Sequence, residues 1–205
     1  MPTGELSQII NTDIYLIDQI LKGRYNGGGK LLDAGCGRGR NIPWFALQPN
    51  FDIYATDTDR DAITHLLQSY PSITHGQVKC GPVQSLPFPD AFFDHIICSA
   101  VLHFARNNEE FWQMFAELNR VLKPKGSLFI RVASDIGIEN KILPLGGGRF
   151  SLPDGTDRFL LTKLILEELL KNFPMTLAEP VKTTNVQDIR CMTTLVMIKS
   201  AYQTE

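Results

Sequence analysis

The chain has 205 residues, enough for one well-buried domain and short for two. Its composition, 43% hydrophobic and 20% charged, argues against disorder and fibrous architecture. Twenty basic against 22 acidic residues leave a net charge of -2, so there is no global field to gather nucleic acid or an anionic membrane.

The N-terminal residues lack a basic stretch followed by an apolar one, and nothing later reaches the roughly 18 continuous apolar residues of a spanning helix. A cytoplasmic protein is expected. From Glu5 to Leu21 the residues Leu6, Ile9, Ile10, Ile14, Ile17 and Leu21 recur at helical spacing, which predicts one or two amphipathic helices and a helical cap over 1–25. Short apolar runs at 30–34, 52–57, 73–79, 94–100 and 127–133 then alternate with helical stretches, the pattern of a parallel sheet with helices on both faces. Asn41, Asp59 and either Asn107 or Asn108 are expected helix caps, and the Pro124 to Gly126 turn is expected to separate the 109–122 helix from the next strand. Residues 134–161 carry Gly137, Pro144, Gly146 to Gly148 and Pro153, and predict a long connection without regular structure. A helix over 162–172 and an antiparallel pair of strands at one sheet edge complete the chain.

Cys36, Cys80, Cys98 and Cys191 lie far apart, without the paired spacing of a zinc site or the density of a disulfide framework, and read as reduced thiols. His65, His75 and His95 are scattered, and no metal site is expected.

The most informative stretch is LLDAGCGRGRN at 31–41, an apolar strand running into three alternating glycines and a helix start. Gly35, Gly37 and Gly39 permit positive φ and close backbone approach, and the helix offers free amides to a ligand. A dinucleotide fingerprint G-x-G-x-x-G counted from Gly35 meets Arg40 at its last glycine, and Asp33 suits an ammonium better than a pyrophosphate. Asp57, at the end of the second apolar run, falls 20 residues after Gly37, the spacing of a ribose-binding acid, while Asp59 fits the next helix cap.

D-x-G-x-G-x-G resembles the first motif of class I S-adenosylmethionine-dependent methyltransferases. GPVQSLPFPDAFFDHIICSAVLHF at 81–104 and ELNRVLKPKGSLFI at 117–130 resemble the later segments of that family, so the likeness spans about residues 28–133. It implies an α/β, Rossmann-like fold with a mostly parallel seven-stranded sheet, a C-terminal antiparallel hairpin and helices on both faces, in one domain over 1–205. The implied cofactor is S-adenosylmethionine, with S-adenosylhomocysteine as product. The implied binding set is Asp33, Gly35, Cys36, Gly37, Arg40, Asn41, Asp57, Thr58, Val83, Gln84 and Ser99. Asp33 and Gly35 serve the ammonium, Arg40 the cofactor carboxylate, and Asp57 the ribose. Many relatives carry an aspartate facing the adenine amino group where this chain has Pro82, which leaves adenine to Val83 and Gln84. The GCGRGRN string is also similar to small tellurite-resistance-type methyltransferases.

Methyl transfer from a sulfonium needs positioning more than a protein nucleophile. His103, just beyond the fourth strand, is the candidate base or acceptor contact, with a packed histidine as its other reading. Phe104, Arg149 and Arg158 are candidate acceptor contacts, the two arginines from a 134–161 connection expected to line the acceptor pocket. Without a basic tract or a large extra domain, the expected partner is a small-molecule methyl acceptor, with no nucleic acid or membrane, in a monomer or homodimer. A noncatalytic cofactor-binding regulator and a nicotinamide-dependent oxidoreductase are the alternatives.

Overall fold

A computed structural model describes residues 9 and 11–201. The expected apolar positions Leu6 and Ile10 lie outside that set. The first helix, α1, spans Ile14–Leu21, with Asp13 as N-cap accepting from the Tyr15 amide. It buries Leu16 and Gln19, whereas Ile14 is 71% and Leu21 82% exposed, so the predicted Ile14 to Leu21 stripe faces outward. Polar ties set this orientation. Lys182 bonds both Asp18 (2.9 Å) and Glu179 (2.7 Å), and Gln19 donates to Glu179, which turns the polar side of α1 onto the C-terminal hairpin.

The alternation then proceeds through β1 (Gly29–Ala34), a short α2 (Pro43–Ala46), β2 (Phe51–Asp57), α3 (Arg60–Ser69), β3 (Val78–Cys80), β4 (Phe93–Ser99), α4 (Asn108–Val121) and β5 (Leu122–Ser134). Asp59 caps α3 and Asn107 caps α4, as their positions before the apolar periodicity predict. Asn41 does not cap α2. Its Oδ1 accepts from the Asp13 amide at 3.2 Å instead, and Pro43 in the first turn lacks an N–H to satisfy. The third strand is shorter than the apolar run because Gln77 folds back to accept from the Thr74 amide and hydroxyl. Pro124 and Gly126 lie inside the span of β5: pairing with β4 jumps from Phe93 opposite Leu122 to His95 opposite Ser127, so the turn is absorbed as a bulge.

After β5 come β6 (Leu143–Gly146), β7 (Arg149–Ser151) and β8 (Asp157–Phe159), then α5 (Lys163–Asn172), β9 (Met175–Leu177), β10 (Lys182–Val186) and β11 (Arg190–Lys199). The structure corrects the expectation of an irregular 134–161: β6, β7 and β8 form a three-stranded antiparallel sheet, with Gly146, Gly147 and Gly148 at positive φ in its first turn.

The main sheet has the order β10-β11-β5-β4-β1-β2-β3 with β9 also paired to β11. β11 gives its first half to β10 and its last residues to β9, while its other side pairs with β5. Eight strands therefore fill seven positions. β1 to β5 are parallel, and β11 is antiparallel to β5. Adjacent residues of the central strands point to opposite faces. Leu32, Ile96 and Leu128 join one core with Phe111, Phe115 and Leu118 of α4, and Leu31, Ile97 and Phe129 join the other with Leu16 and Leu66. Both faces are covered, which explains the unbroken apolar runs. Strand order reverses between β1 and β4, the switch point outside whose carboxyl ends open α/β sheets bind ligands.

Candidate active site

The turn after β1 is held against β2, with the Gly35 and Cys36 amides both donating to the Thr56 carbonyl, at 2.8 and 2.9 Å. Its glycines answer different demands. Gly35 (φ +77°) packs against Val101, into whose side chain a Cβ would run. Gly37 (φ +52°) has nothing within 4 Å of its missing Cβ, so its backbone lies bare to the space above. Gly39 (φ +83°) approaches Tyr70 and Leu66 of the α3 layer.

Asp57, half-buried at the tip of β2, accepts from the Gly37 amide at 2.7 Å through one oxygen and from the Asp59 amide at 2.9 Å through the other. Each oxygen keeps a further lone pair for a ligand donor. Beneath the turn, the Asp33 carboxylate is 1% exposed, and neither oxygen has a hydrogen-bond partner among the described residues. Burial pushes its pKa up to about 7 against the opposing attraction of Arg40, with Asp57 adding to the rise. An orphaned buried carboxyl is costly in a folded protein. It marks a place where a cationic group would be welcome.

Two clefts open at this end of the sheet. The first, about 380 Å³, is lined by Gly35, Gly37, Asp57, Thr58, Gly81, Pro82, Val83, Gln84, Ala100, Val101, Phe104, Glu110 and Met114. Gln84 donates to Glu110 at 2.9 Å, and Glu110 also accepts from the Arg106 backbone amide and side chain. Glu110 thus brings a carboxylate to the end of the cleft where Pro82 offers none.

The second cleft, about 480 Å³, is lined by Asp13, Ile14, Arg40, Ala100, His103, Arg131, Ala133, Leu152, Asp154, Thr156, Arg158, Arg190 and Met192. Ala100 is common to both clefts and stands at φ +64°, a strained conformation of the kind that collects at functional sites. The 3-10 turn Leu102–Phe104 also faces both, with Phe104 on the first and His103 on the second. Ser99 sits behind this wall. It accepts from Arg40 at 3.0 Å and donates to Asp13 at 3.2 Å, and Asp13 pairs with Arg131 (3.4 Å).

His103 is buried, and its Nδ1 accepts from the Ala133 amide at 3.2 Å. Burial, reinforced by nearby Arg158, lowers its pKa to about 4. The ring is therefore neutral near pH 7. With Nδ1 accepting, its proton belongs on Nε2, so its free nitrogen is a donor.

Among the expected acceptor contacts, Arg158 and Phe104 come together, the guanidinium 5.1 Å from the ring centroid. Arg149 is not among the residues of either cleft, and its guanidinium donates to the Asp157 carbonyl. Asn41 and Cys36 support the turn from within, both buried. Asp13, Ala100, Glu110, Arg131, Asp154 and Arg190 escaped the sequence reading. Only Glu110 left a trace, as the third residue after the Asn107 cap. His95 bonds Ser127 and the Gly28 carbonyl in the core, and no cluster of metal-ligating side chains occurs among the described residues. No described helix is long and apolar enough to cross a membrane.

A switch-point cleft with a glycine turn on one side and an acid at the tip of the second strand is the arrangement of Rossmann-like folds, which bind ligands there. Residues 32–130 match the family described as Methyltransferase domain. An uncharacterized methyltransferase-like protein of Schizosaccharomyces pombe is 26% identical over 117 residues, which are 57% of this chain and 40% of that protein. The fold is shared with an S-adenosylmethionine-dependent methyltransferase of Methanosarcina mazei (TM-score 0.71, 18% identity, covering 89% of this chain and 98% of that one). It is also shared with 1,6-didemethyltoxoflavin-N1-methyltransferase of Burkholderia thailandensis, solved with its acceptor and S-adenosylhomocysteine (TM-score 0.65, 21% identity, covering 89% and 76%). The chain is thus similar to the methyltransferase domain family over residues 32–130 and shares the fold of S-adenosylmethionine-dependent methyltransferases. It spans 40% or less of the length of the curated relatives it matches.

Proposed function

We propose that this chain transfers a methyl group from S-adenosylmethionine to a small-molecule acceptor. The observation that carries this reading is the meeting of the two clefts at Ala100, the first bordered by the glycine turn and Asp57 and the second by His103 and four arginines. On the first side Asp57 accepts from the ribose hydroxyls, the bare backbone at Gly37 and Thr58 lines the sugar, and Val83, Gln84 and Glu110 meet the adenine. Asp33, without a hydrogen-bond partner among the described residues, supplies the negative charge for the ammonium, and Arg40 at the edge of the second cleft takes the carboxylate.

When bound, S-adenosylmethionine supplies a methyl carbon on a cationic sulfur, an electrophile for which positioning and dryness provide much of the rate. Ala100 and the Leu102–Phe104 turn form the wall against which the acceptor is aligned. His103 orients it by donating from Nε2, and does not withdraw its proton, because the nitrogen free to act already carries one. The acceptor atom therefore brings its own lone pair.

Calorimetry with S-adenosylhomocysteine, paired with transfer of labelled methyl to a filtered low-molecular-weight extract, tests the reading. Binding of the nucleoside but not of a nicotinamide dinucleotide, with label in small molecules, is the expected result. Label confined to protein or RNA would overturn the acceptor class, and absence of nucleoside binding would overturn the cofactor.

A further inference from the structure

The second cleft is lined by four guanidiniums, Arg40, Arg131, Arg158 and Arg190, against two carboxylates, Asp13 and Asp154. They are not equivalent. Arg131 is taken by Asp13, and its guanidinium also lies 4.6 Å from the Tyr15 ring centroid. Arg40 is turned to Ser99, on the side of the glycine turn. Asp154 is turned into its own loop, where it accepts from the Thr156 amide and hydroxyl at 3.0 and 2.6 Å. Arg158 and Arg190 remain without a carboxylate within salt-bridge distance among the described residues. Arg158, half-buried, donates among the described residues only to the neighbouring Asp157 carbonyl, and the Phe104 face orients it; Arg190 opens β11 and stands exposed at the rim.

Two uncompensated guanidiniums on separate elements of one concave, partly apolar site repel each other unless an anion lies between them. A guanidinium presents a planar fork of donors matched to carboxylate or phosphate oxygens. Leu152, Ala133 and Met192 supply apolar wall for the rest of such a molecule. His103, neutral and donating, adds a hydrogen bond without adding charge.

We propose that the methyl acceptor is an anionic small molecule whose carboxylate or phosphate group is held between Arg158 and Arg190. This rests on the methyltransferase reading above and narrows its acceptor.

The test uses protein first shown by calorimetry to be loaded with S-adenosylhomocysteine, then titrated with benzoate, phenyl phosphate and the neutral benzamide. Both anions, or one of them, should bind roughly tenfold or more tightly than benzamide, and the tighter anion tells a carboxylate handle from a phosphate one. Arg158→Gln and Arg190→Gln should each lower anion affinity roughly tenfold, leaving benzamide and S-adenosylhomocysteine affinities unchanged; the last shows that the variants are folded. Anions that bind no better than benzamide, or that bind the double variant as well as the wild type, overturn the proposal while the cofactor reading stands. Failure of S-adenosylhomocysteine to bind overturns both.

Discussion

The two clefts that meet at Ala100 are built in opposite ways. The first draws most of its wall from three short contiguous stretches, the glycine turn, the β2 tip and Gly81 to Gln84, and is closed by Ala100, Val101, Phe104, Glu110 and Met114. The second gathers side chains from α1, the residue after the glycine turn, the ends of β4 and β5, the small three-stranded sheet with its β7–β8 loop, and the hairpin, and four of them are arginines. The first is thus a site of backbone shape, the second a site of side-chain charge. Shape of that kind is sensitive to a single added methyl group, whereas charge can be tuned with the fold left standing.

The sharpest test of this contrast is Gly35→Ala. The added Cβ meets Val101 at a backbone φ of +77°, so strain and overpacking combine. A loss of about 3 kcal/mol of stability in urea unfolding is expected. Unchanged stability would mean that the turn yields, and that the cofactor side is not rigid by construction.

Asp57→Ala comes next. It removes the acceptor for the Gly37 and Asp59 amides along with the proposed ribose contact. Binding of S-adenosylhomocysteine should weaken by about 2 kcal/mol, roughly 30-fold. Wild-type affinity would refute the ribose assignment.

The last test concerns Asp33, whose effect is the smallest when taken per pH unit. Burial holds its folded-state pKa near 7, above the ordinary carboxyl value of 3.8, so without ligand it keeps its proton through the interval where the unfolded chain has lost it. Raised in the folded state, this acid makes stability fall as pH climbs from about 4 to 7, with a slope of at most about 1.4 kcal/mol per pH unit. A bound ammonium favours the ionised form. Affinity for S-adenosylhomocysteine should therefore increase with pH up to about 7, by at most roughly tenfold per unit, and level off above. Calorimetry in buffers of different ionisation enthalpy reads the released proton, and pH-independent binding between 5 and 7 would detach Asp33 from the ammonium.

The alternation of apolar runs and helices was legible because both faces of a buried parallel sheet demand apolar residues without a break. Asp33, the three glycines and Asp57 were legible because a strand, a turn and a helix start follow one another within a few residues. The outward turn of Ile14 and Leu21 was not, since an ion pair from Asp18 to the distant Lys182 and a hydrogen bond from Gln19 to Glu179 decide which side of α1 is buried. Nor was the small sheet over 143–159, whose strands are three or four residues long and interrupted by glycine and proline. Arg149 and Arg158 looked alike in the chain; the register that pairs Arg149 with Phe159 and Arg158 with Phe150 puts them on opposite faces of that sheet, and only Arg158 lines the second cleft.

Sequence alone determined the layered α/β architecture, the glycine turn and the acids beside it, because these depend on residues close together along the chain and on backbone freedoms that glycine confers. Tertiary structure alone decided the second cleft: which arginines face inward, which are neutralised by Asp13, and which nitrogen of His103 is left with a proton. Those outcomes depend on distances between segments as far apart as residues 13 and 131, or 103 and 133. Electrostatic and hydrogen-bond partners are chosen by proximity in space, which local residue pattern does not encode.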